Sequence, residues 1–442
     1  MSPAGQVVRV ASALVAPSEQ ERKRIGRVAR LALSRTRAAS ARFPEVRGVV
    51  LGGSFAKGTW LPESADIDIF VKVAPTAPES RFEEVGLAIG AEAMRGYPRG
   101  KMYAQHPYTE ASVDGVKVNI VPCYAVARGH WMSAADRSPF HVTLVKGLSD
   151  GQKTQVRLLK RFMKAVGVYG AEIETQGFSG YAAEVLVMQH GSFVAVLRYL
   201  AGYKAKGDDL LFSLLDPVDP TRDLGNAVSG EKLGRLVLAC REFLSRPQRG
   251  FFERMAGKAR TSIAESVVAV VFRHRRLSED ILWGELRKTV RHVVRHVEGR
   301  GFRIARAMAA SNNSDRSALL FIPEFASLPA IEQRVGPTVD MRKETHEFIL
   351  RNRGRAKLVW VDDDARVRLL QERDYTSLDR LLEDIAKGRT GPVGASEEVA
   401  RGMAKSARVL SGRQLLRLAE SEQWMRNGIR EISSDAIGTR GS

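Results

Sequence analysis

The chain has 442 residues, too long for one ordinary core, and its 44% hydrophobic and 27% charged composition excludes a disordered protein. Two cysteines, Cys123 and Cys240, exclude a disulfide framework or a structural zinc site, and no apolar run reaches the ~18 residues of a membrane span, so a cytoplasmic protein is expected. The net charge of +19 is spread along the chain rather than held in a detachable tail, which suits a large polyanion such as a nucleic acid.

In chain order, Val7 to Ala16 is apolar but short for a signal peptide and is interrupted by Arg9. Residues 18–42 predict an amphipathic helix: Ser18-Glu19-Gln20-Glu21 has capping-box spacing, and Ile25, Val28, Ala29 and Ala32 recur at helical intervals. A strand, Gly48 to Leu51, runs into a Gly52-Gly53-Ser54 loop, and a second strand follows at Asp66 to Val71. Asp114-Gly115 reads as a two-residue primed turn joining strands Thr109 to Val113 and Val116 to Val121. The pattern then turns helical, through Val156, Leu159, Phe162 and Met163 and on through Val185 to Leu200. Segment 205–230 is loop-rich around Asp216-Pro217-Val218-Asp219-Pro220, and a helix follows at 231–245. Residues 258–375 form another mixed module, with strands at Lys357 to Val361 and Val367 to Leu370; the last sixty or so residues are helical with a polar end. The expectation is an α+β multidomain chain: a catalytic head at 1–148, a helical neck at 149–257, and a mixed α/β body with a helical tail at 258–442.

The chemistry concentrates in the head. Residues two apart on a strand share a face, so Asp66 and Asp68 project together while Ile67 and Ile69 turn to the core. Paired carboxylates on a rigid strand suit hard divalent cations such as Mg²⁺. Against a nucleoside triphosphate, such ions activate an attacking hydroxyl and stabilise the leaving pyrophosphate. The glycines of the upstream loop let backbone N–H groups approach phosphate oxygens; Ser54 adds a hydroxyl and Lys57 a positive charge.

Gly-Ser followed by a strand Asp-x-Asp resembles the polymerase-β-like nucleotidyltransferase superfamily, whose head is a mixed sheet with flanking helices. Gly53-Ser54-Phe55-Ala56-Lys57-Gly58-Thr59-Trp60-Leu61-Pro62 with Asp66-Ile67-Asp68-Ile69-Phe70-Val71 narrows the resemblance to the archaeal, class I CCA-adding enzymes. Further segments in the family's order are Val121-Pro122-Cys123-Tyr124, Asp136-Arg137-Ser138-Pro139-Phe140-His141, Leu158-Leu159-Lys160-Arg161-Phe162 and Gly177-Phe178-Ser179-Gly180-Tyr181. They lie within residues 50–225, and the C-terminal half matches only diffusely. The resemblance implies Mg²⁺ as cofactor, held by Asp66 and Asp68, with CTP, ATP and the tRNA acceptor stem as partners and a homodimer as the assembly. It also implies that Ser54 and Lys57 hold the triphosphate, that His141, Lys160 and Tyr169 contact the incoming nucleotide, and that Arg222 reads its base. By themselves His141 reads more readily as structural, Lys160 as a solvated helix-face residue and Tyr169 as core; Arg222 has the planar fork that reaches a base edge and a phosphate together.

One position departs from the family pattern. Where the resemblance implies a third catalytic, metal-ligating carboxylate, this chain has Asn119. An amide oxygen still coordinates Mg²⁺ but carries no charge, so a slower reaction is expected. The position reads as a substitution that traps complexes, as a natural variant with compensation, or as the mark of a catalytically weak tRNA-binding homologue. With Asp114-Gly115 as the turn, Glu110 falls opposite Asn119 and becomes the candidate compensating carboxylate. A poly(A)-polymerase-like terminal transferase shares Gly-Ser and Asp-x-Asp and is the rival within the same chemistry.

Overall fold

The computed structural model describes residues 3–204, 212–253, 261–391 and 394–434. Part of the predicted loop, 205–211, and the polar C-terminal end lie outside them. The chain divides into two compact units, Met1–Met255 and Ala256–Ser434.

In the first unit the apolar N-terminal stretch is a helix, α1 (Pro3–Val15), which buries Ala11 and Val15. Helix α2 (Glu19–Ser40) begins on a reciprocal cap: Glu21 N donates to Ser18 Oγ at 3.2 Å, and Ser18 N donates to the Glu21 carboxylate at 2.7 Å. Its Ile25, Val28, Ala29 and Ala32 stripe joins a core with β1 (Val46–Gly52) and β2 (Asp66–Val73). Between these strands runs a one-turn helix, α3 (Gly53–Lys57). Helix α4 (Glu79–Ala93), β3 (Arg99–Tyr103), β4 (Pro107–Val113) and β5 (Val116–Tyr124) complete a sheet of order β1-β2-β5-β4-β3. Only β2 and β5 are parallel. The β4–β5 turn has Asp114 at φ 50° and Gly115 at φ 72°, the primed geometry that matches strand twist and fixes the register.

Helix α5 (Ser138–Lys146) leads to a helical layer of α6 (Asp150–Val166), α7 (Gly180–His190), α8 (Phe193–Ala201) and α9 (Gly230–Ser245). Phe162, Phe193, Phe243 and Phe252 pack ring to ring at its centre. The helical pattern predicted through Val185 to Leu200 is realised as two helices. Gln189-His190-Gly191-Ser192 interrupts the apolar run; Gly191 takes φ 83° and Ser192 caps α8 by accepting from Ala195 N at 3.3 Å.

The second unit has two sheets. Strands β6 (Val268–Arg273), β7 (Ile304–Ser311), β8 (Arg316–Pro323) and β12 (Arg408–Ser411) pair in the order β12-β6-β8-β7. On one face Val268, Val270, Leu319 and Phe321 pack with α11 (Glu279–Glu298), α13 (Leu378–Ala386) and α14 (Glu397–Ser406). On the other, Ala269, Ala318 and Leu320 meet α10 (Thr261–Glu265), α15 (Gly412–Ser421) and α16 (Gln423–Ile432). The helical C-terminal segment thus contributes a strand and a full face to this core. A smaller sheet, β10-β11-β9, comprises β9 (Ile331–Thr338), β10 (Ala356–Val361) and β11 (Arg366–Glu372), with α12 (Arg342–Asn352) beside it. Among the described residues no helix is long and apolar enough to cross a membrane.

Candidate active site

Strand β2 buries Ile67 and Ile69 completely and turns Asp66 and Asp68 to the opposite face. The register places Gly52, Asp68, Asn119 and Glu110 in one row across β1, β2, β5 and β4; Lys117 is paired with Asp66. Asn119 Nδ2 donates to Asp68 Oδ1 at 2.9 Å, while Asn119 Oδ1 is buried with no hydrogen-bond partner. Burial raises the pKa of Asp66, with the Asp68 charge adding to it, and burial likewise raises Asp68. Both shifts are of the kind a cation reverses. Glu110 stands opposite Asn119 as the turn predicts, but its Oε2 accepts from Lys117 Nζ at 3.1 Å. Sequence reasoning missed Lys117, whose ammonium spans the charges of Glu110 and Asp66.

The predicted Gly-rich loop is instead the start of α3, and Gly53 meets a steric need that the sequence reading did not include. It sits at φ +61°, and a Cβ there would lie 1.8 Å from Asp68 Oδ2. The Asp68 carboxylate occupies the space that a side chain would fill. Ser54, half-buried, follows in the same turn, and Gly58 at φ 76° ends it.

Lys57 and Lys160 converge on one acid. Glu184, on α7, accepts from Lys57 Nζ at 2.8 Å through Oε2 and from Lys160 Nζ at 2.7 Å through Oε1. Thr59 Oγ1 donates to the same Oε1 at 2.5 Å, and Lys160 also donates to Thr59 Oγ1 at 3.1 Å. Lys160 and Glu184 are 2% and 1% exposed, so this is a buried trio of two ammoniums and one carboxylate. Burial by itself would raise the Glu184 carboxyl, but Lys160 and Lys57 outweigh it and hold the group down to about 2. The stabilisation from that lowered value is complete above the ordinary carboxyl value of 4.5 and is lost as pH falls through about 2. Glu184→Gln is therefore expected to cost most stability at neutral pH and progressively less below pH 4.5. Paired urea titrations of the two proteins across pH check this; a constant difference would contradict it.

Tyr169 belongs to the same neighbourhood. A Cβ at Gly180 would lie 2.7 Å from the Tyr169 hydroxyl and 3.5 Å from Lys160 Nζ, so both groups reach the first turn of α7 over a residue without a side chain. Burial pushes the Tyr169 phenol well above its usual range.

His141 is positioned by a chain of contacts that starts at the end of β5. The Asp136 carboxylate accepts from Tyr124 N, Met132 N and Ser133 N at 2.7–2.8 Å, which fixes the approach to α5. From α5, His141 Nε2 meets Asp216 Oδ2 at 2.9 Å, and the imidazole stacks on Tyr181 at 3.8 Å. The Tyr181 hydroxyl donates to Asp216 Oδ1 at 2.9 Å, and Lys57 Nζ lies 4.8 Å from the Tyr181 ring centre, which links this group to the Glu184 trio. Burial would raise Asp216, but the hydrogen bond with His141, the Val218 N–H and Tyr181 bring it down to about 2. Arg222 Nη1 is 3.6 Å from Asp216 Oδ2 with its side chain half in solvent, so the predicted base reader rests one nitrogen of its fork against Asp216. The Asp216 loop is fastened by Arg137 Nε to Asp219 Oδ2 at 2.7 Å and by Arg128 to the Pro217 and Val218 carbonyls.

Two groups thus contain the predicted residues: Asp66, Asp68 and Asn119 on the strand face, under which Gly53-Ser54 begins; and Lys57, Lys160, Tyr169, His141 and Arg222 around Glu184 and Asp216. Sequence reasoning missed Thr59, Tyr181, Glu184 and Asp216. The available signal for Glu184 was a single acid inside the apolar run Ala182 to Met188. A separate acidic group, Glu79, Glu83 and His106, lies off this row, on α4 and the β3–β4 connection. Cys123 and Cys240 are free and buried, and burial pushes the Cys123 thiol up to about 12, which leaves both as core residues rather than nucleophiles.

Residues 36–141 match the family model of the nucleotidyltransferase domain, 154–253 that of the tRNA nucleotidyltransferase second domain, and 264–412 that of the CCA-adding enzyme C-terminal domain. The CCA-adding enzyme of Pyrobaculum islandicum is 34% identical over 396 aligned positions, which cover 87% of this chain and 94% of the relative. That of Methanopyrus kandleri is 32% identical over 464, covering 95% and 94%. Among solved structures, the Cid1 poly(U) polymerase with 3′-dATP bound overlaps 56% of this chain and 98% of its own at 15% identity and a TM-score of 0.45. With all three family models in their order along one chain, and relatives of this identity along nearly its whole length, the chain belongs to the CCA-adding enzymes.

Proposed function

We propose that this chain adds or repairs the 3′-terminal CCA of tRNA without a template, joining CMP from CTP and then AMP from ATP with release of pyrophosphate. The observation that carries the reading is the strand row in which Asp66, Asp68 and the partnerless Asn119 Oδ1 share one face. Two carboxylates and a buried amide oxygen form an all-oxygen donor set, which fits a hard divalent cation; Mg²⁺ is the ion we propose. When bound, such ions activate the RNA 3′-hydroxyl and neutralise charge on the leaving pyrophosphate.

The chain's own residues supply the positioning. Lys57 and Lys160 bring two ammoniums beside the phosphate segment that carries Ser54. Tyr169, His141 and Arg222 surround the nucleotide, and Arg222, whose Nη1 lies 3.6 Å from Asp216, has the half-exposed planar fork that reads a base edge. With little covalent work for side chains, placement and charge neutralisation make up most of the catalysis. The neutral Asn119 takes one charge from that account, so turnover is slower than a third carboxylate would give.

Glu110 is the group in position to restore charge to the face by its place opposite Asn119, with Lys117 as its competing partner. Glu110→Gln is expected to slow single-turnover CMP addition several-fold in the chain as it stands, and to matter little once Asn119→Asp supplies the third carboxylate. Equal silence in both backgrounds would reduce Glu110 to a cross-strand partner of Lys117.

The deciding experiment offers tRNA lacking CCA with each nucleotide in turn. Two CMP additions followed by a single AMP support the proposal, and unlimited AMP addition replaces it with a poly(A)-polymerase-like activity. Tight tRNA binding with no addition at any Mg²⁺ or Mn²⁺ concentration replaces it with a non-catalytic binder.

A further inference from the structure

We infer that Glu184 is a positioning residue for nucleotide binding: it fixes the ammoniums of Lys57 and Lys160 where they grip the triphosphate common to CTP and ATP. The inference rests on the nucleotide-transfer reading of the site above, and two observations support it.

The geometry is specific. Each carboxylate oxygen takes a different lysine, at 2.8 Å and 2.7 Å, and Thr59 fills the remaining acceptor capacity of Oε1. One lysine follows Ser54 in the turn that passes beneath Asp68; the other comes from α6, beside Tyr169. A single residue of α7 therefore sets the relative position of the two elements that carry the predicted phosphate ligands.

The charge count points the same way. One carboxylate against two ammoniums leaves a net positive charge in a buried trio, and that surplus has no acidic partner within it. An arrangement serving stability alone gains nothing from a second buried ammonium, because desolvating each added charge is costly unless it is compensated. A polyanion arriving at the site supplies the compensation.

The chemistry of the amide then makes the position testable. Glutamine has the same length as glutamate but only one acceptor oxygen; its Nε2 would face a second donor. Glu184→Gln can hold one lysine but not both. Glu184→Asp keeps both acceptors on a shorter arm.

The experiment measures KM and kcat for CTP and for ATP, KM for tRNA, and the equilibrium Kd of CTP without tRNA, in the wild-type chain and both variants. For Glu184→Gln, KM for both nucleotides and the Kd of CTP are expected to rise by the same factor, about tenfold or more, with the tRNA KM unchanged. Glu184→Asp is expected to fall between the two. Glu184 is only a structural bridge when thermal stability and kcat fall while both nucleotide constants stay at wild-type values, or when the tRNA KM rises as much as the nucleotide KM. Should Glu184→Gln fail to fold, Glu184→Asp carries the same comparison. Wild-type chain that binds CTP but does not extend tRNA would overturn the functional reading, while the CTP Kd values would still decide the role of Glu184.

Discussion

Asn119→Asp is expected to raise single-turnover CMP addition about 10- to 100-fold at saturating Mg²⁺, the range over which adjustments around a metal site ordinarily act. Asn119 spends its Nδ2 on Asp68 at 2.9 Å and leaves Oδ1 without a partner, so the amide neutralises nothing and uses half its capacity locally. An aspartate there places two carboxylates in contact on adjacent parallel strands. Without a divalent cation they repel, and each resists ionisation. With one bound, repulsion becomes shared ligation. The substitution is therefore expected to lower the melting temperature in EDTA and to enlarge the rise in melting temperature on adding Mg²⁺. An unchanged rate at saturating Mg²⁺ would show that the third charge does not limit this chain.

Gly53→Ala is expected to reduce the same rate about 100-fold or more, since an ångström of misplacement at a reacting centre has that effect. The new Cβ would stand 1.8 Å from Asp68 Oδ2, and the carboxylate is the movable partner because Gly53 begins a helical turn whose backbone is held. The positive φ adds roughly 1–2 kcal/mol of backbone strain for a residue with a side chain. Stability should therefore fall modestly while the rate falls steeply, and measuring melting and turnover on the same preparation separates the two. Equal and small losses in both would mean that Asp68 tolerates displacement.

The strand side of the site was legible because its rules are local. Period-two alternation puts Asp66 and Asp68 on one face, and the Asp114-Gly115 turn fixes pairing closely enough to set Glu110 against Asn119. Ser18 with Glu21 announced the start of α2 for the same reason. The acids that organise the second group of residues, Glu184 and Asp216, were not legible, because their partners are remote in sequence. Glu184 meets Lys57 at a separation of 127 residues, and Asp216 meets His141 at 75. In an apolar helix an acid announces burial but not its partner, and a proline-rich loop hides which aspartate turns inward. The helical reading of Val185 to Leu200 did not separate α7 from α8 at Gly191-Ser192, and the reading of the glycines did not show that Gly53 also makes room for Asp68.

The bond from Lys57 to Glu184 has a consequence for protein engineering. A fragment ending after Leu148 would retain every strand of the mixed sheet with Asp66 and Asp68, yet it would strip Lys57 and Thr59 of the carboxylate that holds them. The excised piece would keep the most visible motif and lose the anchor of Lys57 and Thr59. Grafting this head onto another RNA-binding module requires α6 and α7 to travel with it: the smallest transplantable part is larger than the motif that identifies it.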